Sequence, residues 1–185
     1  MRIIGGRHRG LALAAVGVGD AGASLRPTPD RVRESVFNVL SGGRHGDPVT
    51  GARVLDLFAG TGAMGLEALS RGAAFATFVD DGRVAQGLIR DNLRRAGREA
   101  DAALVARNAT ALGAGAPHGL VFLDPPYGKG LGGPALVSAV AGGWIAPGAL
   151  IVWEERAPMV PPKGFALAEH RKYGQSHITI LTAAA

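Results

Sequence analysis

Cysteine is absent from the 185 residues. Disulfides and thiolate metal sites are thereby excluded, and the chain must be held by packing alone. Aromatic residues make up only 5%, so aliphatic side chains and alanine have to fill the core. No apolar run approaches the roughly 18 residues of a membrane-spanning helix. No basic start followed by an apolar stretch marks an export signal. These absences predict a soluble, cytoplasmic protein. Lysine is missing where positive charge is densest: residues 1–44 hold seven arginines and three acids, whereas the remainder is nearly balanced. Arginine forks match phosphate geometry, so this first quarter is predicted to contact nucleic acid.

"RIIGGRHRGLAL" reads as two short strands around an Arg/Gly turn, and "VGVGDAGASLR" as a mobile glycine-rich loop. In "RPTPDRVRESVFNVL", Thr28 is placed to cap a helix, Pro29 suits its first position and Asp30 its dipole. Val32, Val36, Val39 and Leu40 recur at helical spacing, with Arg31 on another face and Arg33 at the margin of the stripe. Residues 42–50 read as a linker. The rhythm then changes. Apolar strands ("ARVLDLFA", "FATFVD", "DAALVA", "GLVFL", "GALIVWE") alternate with helical patterns ("AMGLEALSRG", "RVAQGLIRDNLRRAG", "PALVSAVAGG"). That alternation predicts an α/β fold: a mostly parallel sheet with helices on both faces. "GFALAEHR" and "SHITILT", joined by a short connection, must pair antiparallel.

"DLFAGTGAMG" (Asp56 to Gly65) sits between a predicted strand and helix and formally matches G-x-G-x-x-G at Gly60, Gly62 and Gly65. Asp80 lies 20 residues after Gly60, where an acid can bind ribose hydroxyls; Asp81 beside it suits a helix cap. A dinucleotide is the first ligand the pattern brings to mind. Asp56 argues against a pyrophosphate, because its carboxylate suits a cation such as S-adenosylmethionine. Asn92 reads as a helix-surface amide.

"LVFLDPPYGKG" (Leu120 to Gly130) ends another buried strand, so Asp124 falls on the same sheet edge as the glycine loop. An exocyclic amine on a nucleobase is a poor nucleophile, because its lone pair is delocalised into the ring. Acceptors at its N–H groups pull the nitrogen toward tetrahedral geometry. Asp124 offers a carboxylate oxygen and Pro125 a carbonyl, which Pro125 and Pro126 hold stiffly. Tyr127 offers a ring for stacking an extruded base. Lys129 is placed to reach a phosphate. Trp144 and Trp153 read as packing residues. The five histidines are scattered without metal spacing and read as surface or turn residues.

With these motifs on view, the chain resembles the class I S-adenosylmethionine-dependent amino-methyltransferases. "MRIIGGRHRGLAL", "LRPTPDRVRESVFNVL" and "RKYGQSHITIL" narrow the resemblance to the bacterial 16S rRNA (guanine(966)-N(2))-methyltransferase family. It runs from Arg2 to Leu181. It implies the Rossmann-like class I methyltransferase fold with an antiparallel last strand, preceded by a small N-terminal hairpin/helix extension. Residues 1–44 would then be the substrate-binding extension and 45–185 the S-adenosylmethionine-binding catalytic domain. The implied substrate is 16S rRNA within small-subunit assembly intermediates, and the implied state a monomer. By matching position, Asp56, Phe58, Gly60, Thr61, Gly62, Asp80 and Asn108 would hold the cofactor. Asp124, Pro125, Pro126 and Tyr127 would be catalytic, and Arg7, Arg9, Arg26, Thr28, Arg31, Tyr127 and Lys129 would bind substrate. Asn108 stands where the family usually has Asp, and His118-Gly119 where it usually has Phe-Asp. Competing readings are a DNA adenine-N6 or cytosine-N4 methyltransferase, an NAD-binding oxidoreductase and a non-catalytic RNA-binding module.

Overall fold

The computed structural model describes residues 1–15 and 28–185. Arg26 and the "VGVGDAGASLR" stretch lie outside the described residues. Helix α1 (Asp30–Ser41) is followed by β1 (Arg53–Leu57), α2 (Ala63–Ser70), β2 (Phe75–Val79), α3 (Arg83–Ala96), β3 (Ala102–Val105), β4 (His118–Leu123), α4 (Gly132–Ala141), β5 (Ile145–Glu155), β6 (Phe165–Tyr173) and β7 (Ser176–Ala183). One sheet holds all seven strands in the order β3-β2-β1-β4-β5-β7-β6. The first five are parallel, and β7 runs antiparallel between β5 and β6. The strand order reverses between β1 and β4, which opens a crevice at their carboxyl ends.

The strands are buried on both faces because their residues alternate between two cores. Val54, Leu120, Phe122, Leu150 and Val152 face a core completed by α1, α2 and α3. Leu55, Leu57, Val121, Leu123, Ile151 and Trp153 face a second core completed by α4, Leu112 and Trp144. Helix α3 buries Ala85, Ile89, Leu93 and Ala96 and stops at Gly97, whose φ of 61° closes the last turn. Arg94 and Arg95 in that turn complement the helix dipole.

The N-terminal segment holds one isolated bridge, Arg2 with Ala12, in place of the two strands expected. It is docked instead by side chains from α2 and α3. Glu67 on α2 accepts from the Ile4 and Gly5 amides, each at 2.8 Å, and Asn92 accepts from the Ala14 amide at 2.6 Å. Asn92 is therefore no surface amide: it is buried, and it also donates to the Thr61 carbonyl at 2.9 Å. Arg33 leaves the helix margin for the interior. It is fully buried, donates to the Arg2 carbonyl and to Asp30, and lies 3.6 Å from Glu67. One histidine departs from the surface or turn role expected of it: His118 is 1% exposed and paired with Thr77 at 2.8 Å, whereas His45 does lie in a turn, where it meets Glu169 at 3.1 Å. Apart from Asp30, the partners of these residues lie far along the chain, so local sequence carries no sign of them.

Candidate active site

The parallel register brings four acids to one edge. Leu57 pairs with Val79 and with Leu123, and Leu123 pairs with Trp153. Strands β1, β2 and β4 therefore end at the same level, where Asp80 and Asp124 follow Val79 and Leu123; Glu154 follows Trp153 within β5, and Asp56 stands one residue before the end of β1. All four line a cavity of about 1360 Å³, together with Phe58, Gly60, Thr61, Pro125, Pro126, Tyr127, Lys129 and Thr28.

Asp56 is 2% exposed, and its Oδ2 accepts from the Gly65 amide at 2.9 Å. Burial pushes its pKa up to about 8; the Gly65 bond opposes this and the charge of Asp80 adds to it. Asp80 is steadied by the Gly60 and Gly82 amides, each at 2.9 Å. Its pKa is also raised, chiefly by burial. The helix cap expected of Asp81 does not form: Gly82 occupies that position without a side-chain cap, and Asp81 accepts from Asn108 Nδ2 at 2.9 Å instead. Asn108 itself is exposed and caps the short 3-10 turn Ala109–Ala111. It stands behind Asp81 rather than among the residues lining the cavity.

The glycine loop is built by close packing. Gly62 has a φ of 78°, and a side chain there would press on Phe78 and Ile89. A methyl at Gly65 would overlap the Phe78 ring and crowd Asp56. Phe58 holds a φ of 59°, the one positive value among described non-glycine residues. Bulky residues avoid that region, and such backbone concentrates where ligands are gripped.

Thr28 does not cap α1. Pro29 takes the cap position with no side-chain bond, and the Thr28 hydroxyl donates to Asp124 Oδ2 at 2.9 Å and to Glu154 Oε2 at 3.4 Å. Tyr127 donates to Glu154 Oε1 at 2.8 Å. Burial, then the neighbouring Glu154 charge, hold the Asp124 pKa well above the usual carboxylate range, with the Thr28 bond opposing them. The Tyr127 hydroxyl is pushed up to about 12, mainly by burial. Arg156 lies over the Tyr127 ring, 5.2 Å from its centre. Glu154 and Arg156 were not singled out from the sequence. The signal was present: "LIVWE" ends an apolar strand in an acid, as "LVFLD" does one strand away.

Arg7, Arg9 and Arg31 are exposed and do not line the cavity. The Arg7 amide donates to the Ser70 carbonyl at 2.7 Å, which fixes the loop that carries both arginines. No helix among the described residues is long and apolar enough to cross a membrane.

Residues 1–182 match the family described as Conserved hypothetical protein 95. The chain belongs to this family. Escherichia coli Ribosomal RNA small subunit methyltransferase D is 41% identical over 181 residues, spanning 95% of this chain and 86% of that protein. The solved structure of Escherichia coli yhhF superposes with a TM-score of 0.83 at 36% identity, covering 100% of this chain and 98% of its own. Haemophilus influenzae HI0767 superposes with a TM-score of 0.76 at 28% identity, again over 100% and 98%. The fold is thus the Rossmann-like class I methyltransferase fold, and the family resemblance read from the motifs holds across nearly the whole chain. Relatives this similar over nearly the whole chain are named methyltransferases, and the chain is a methyltransferase.

Proposed function

We propose that this protein methylates the exocyclic 2-amino group of a guanine in 16S small-subunit rRNA, using S-adenosylmethionine. The observation that carries the reading is the sharing of one cavity by Asp124-Pro125-Pro126-Tyr127 and the Asp56–Gly62 loop. The name of the Escherichia coli relative supports rRNA of the small subunit as substrate.

The chain's donor set fits the cofactor. A buried carboxyl at Asp56 suits an ammonium, Asp80 suits ribose hydroxyls, and the acid-lined cavity favours a cation over a pyrophosphate. Asn108 serves this half of the site through Asp81. When bound, S-adenosylmethionine supplies a methyl on sulfonium, which departs as the thioether. Asp124 and the Pro125 carbonyl accept the two N–H groups of the target amine and raise its nucleophilicity. Asp124 would then take one N–H proton from the methylated amine. Tyr127 flanks the base, and Lys129 reaches toward the flanking phosphate. Because the acceptors are preorganised, most of the rate comes from placement and charge.

Residues 1–44 work in this scheme as the substrate-binding extension of the catalytic domain 45–185. Arg7, Arg9 and Arg31 engage backbone phosphates, and Arg26 joins them. Modest net charge makes binding to free RNA weak and salt-sensitive, so an assembly intermediate presents the base.

The test incubates the protein and Asp124→Ala with radiolabelled S-adenosylmethionine and small subunits lacking the modification. Label should appear in N2-methylguanosine with the intact protein and vanish with the variant. Label in a different nucleoside would overturn the substrate.

A further inference from the structure

Beside Asp124 stands a second buried carboxyl, and the reaction as written does not use it. Glu154 is 6% exposed, lines the cavity, and follows the residue that pairs with Leu123 in the neighbouring strand. Its surroundings are rich in acceptors. Glu154 and Asp124 share the single hydrogen of the Thr28 hydroxyl, and Glu154 takes one more from Tyr127. A carboxylate can accept about four hydrogens. Burying two like charges side by side is costly unless further donors arrive. A glutamine would satisfy Tyr127 equally well, so a purely structural role gives no reason for a carboxyl here.

Among the described residues only Thr28 and Tyr127 donate to this pair of acids, which leaves acceptor capacity for a substrate, and the arrangement of a base's donors discriminates between bases. Glu154, Asp124 and Pro125 line the pocket, and the reaction proposed above uses the Asp124 carboxyl and the Pro125 carbonyl as acceptors. In adenine and cytosine the ring nitrogen beside the exocyclic amine is an acceptor, which would face Glu154 with repulsion. In guanine the ring N1 beside the 2-amino group carries a hydrogen. We propose that Glu154 is the specificity-determining residue, accepting the N1–H of the target guanine while Asp124 holds the adjacent 2-amino group. The inference rests on the guanine-N2 reading above and adds to it the group that selects guanine.

The test replaces the target guanosine by 2-aminopurine ribonucleoside in reconstituted small subunits. That base keeps the 2-amino group, but its N1 is an acceptor. The wild-type protein, Glu154→Gln and Glu154→Asp are compared by kcat/KM on both substrates, with cofactor binding and thermal melting as folding controls. The wild type should favour guanosine by about tenfold or more, the worth of one base-edge bond. Gln offers both a donor and an acceptor, so E154Q should bring the ratio toward one, with its loss concentrated on guanosine. E154D keeps an acceptor and should keep the preference at a lower rate. Equal losses on both substrates with E154Q would overturn the proposal, as would a wild type indifferent to the replacement; the latter needs no variant to fold. Both outcomes leave guanine-N2 methylation intact. Only absence of N2-methylguanosine from wild-type reactions on unmodified subunits would remove the reading beneath it.

Discussion

Affinity for S-adenosylmethionine should climb with pH on the acid side of neutrality, and Asp56 should be the reason. Its carboxyl is buried, and its pKa is pushed up to about 8. At pH 6 only about one molecule in a hundred therefore carries the ionised form that an ammonium needs. A bound cation draws the proton off. The ionised fraction rises about ninefold between pH 6 and pH 7, so the apparent Kd should fall by about that factor, or about 1.3 kcal/mol. The window closes near pH 7.5, above which the ligand's own α-amino group, with a pKa of about 8, begins to lose its charge. Folding stability has the opposite sign. The folded state holds this proton more tightly than the unfolded chain, so Asp56 costs stability progressively as pH rises from about 4 to 8. Calorimetric titrations at pH 6.0, 6.5 and 7.0, in two buffers of different ionisation enthalpy, read affinity and proton release together. Nearly one proton should leave per ligand bound. Asp56→Asn should bind weakly, with neither pH dependence nor proton release. A wild-type Kd flat across this range, with no protons released, would refute the reasoning.

Three further outcomes are expected. Glu67→Gln leaves Arg33 buried beside a neutral amide and weakens the dock of the N-terminal segment; thermal melts should show a loss on the order of 3 kcal/mol. Gly65→Ala forces a methyl against the Phe78 ring and should cost about 1–3 kcal/mol, with Phe78→Leu recovering part of it in the double variant. Thr28→Val removes the bond that lowers the Asp124 pKa, so the acid limb of the kcat/KM profile should move to higher pH. An unmoved limb would show that Asp124 does not set it.

The sheet was legible because burial on both faces writes itself as unbroken apolar runs. "VLDL", "FATFV" and "LVFL" each end in, or lie against, an acid at the carboxyl edge, and that made Asp56, Asp80 and Asp124 visible. Helix α3 was legible from its spacing and from Gly97. What escaped notice was set by partners far along the chain. Thr28 obeys a local capping rule in sequence, yet a carboxyl 96 residues away takes its hydroxyl. Arg33 and Asn92 look like ordinary polar helix positions until Glu67 and the Ala14 backbone are placed against them. Glu154 carried the same strand-end signature as Asp124 but lacked a Pro-Pro-Tyr flag. Its meaning came only from lying beside Asp124.

The reach of these contacts bears on how the protein is made. The N-terminal segment leaves the ribosome first, but Glu67, Ser70 and Asn92, which hold its backbone, are synthesised much later. Thr28 waits longer still, for Asp124 and then for Glu154, 126 residues downstream. Contacts so distant in sequence form slowly and pay their loop-closure entropy before any reward. The arginine-bearing arm can therefore consolidate only once α3 has been synthesised, and Thr28 only after that. A nascent chain can complete its glycine loop and α3 while Asp124 and its threonine have yet to meet, so the power to methylate arrives only when β5 has joined the sheet.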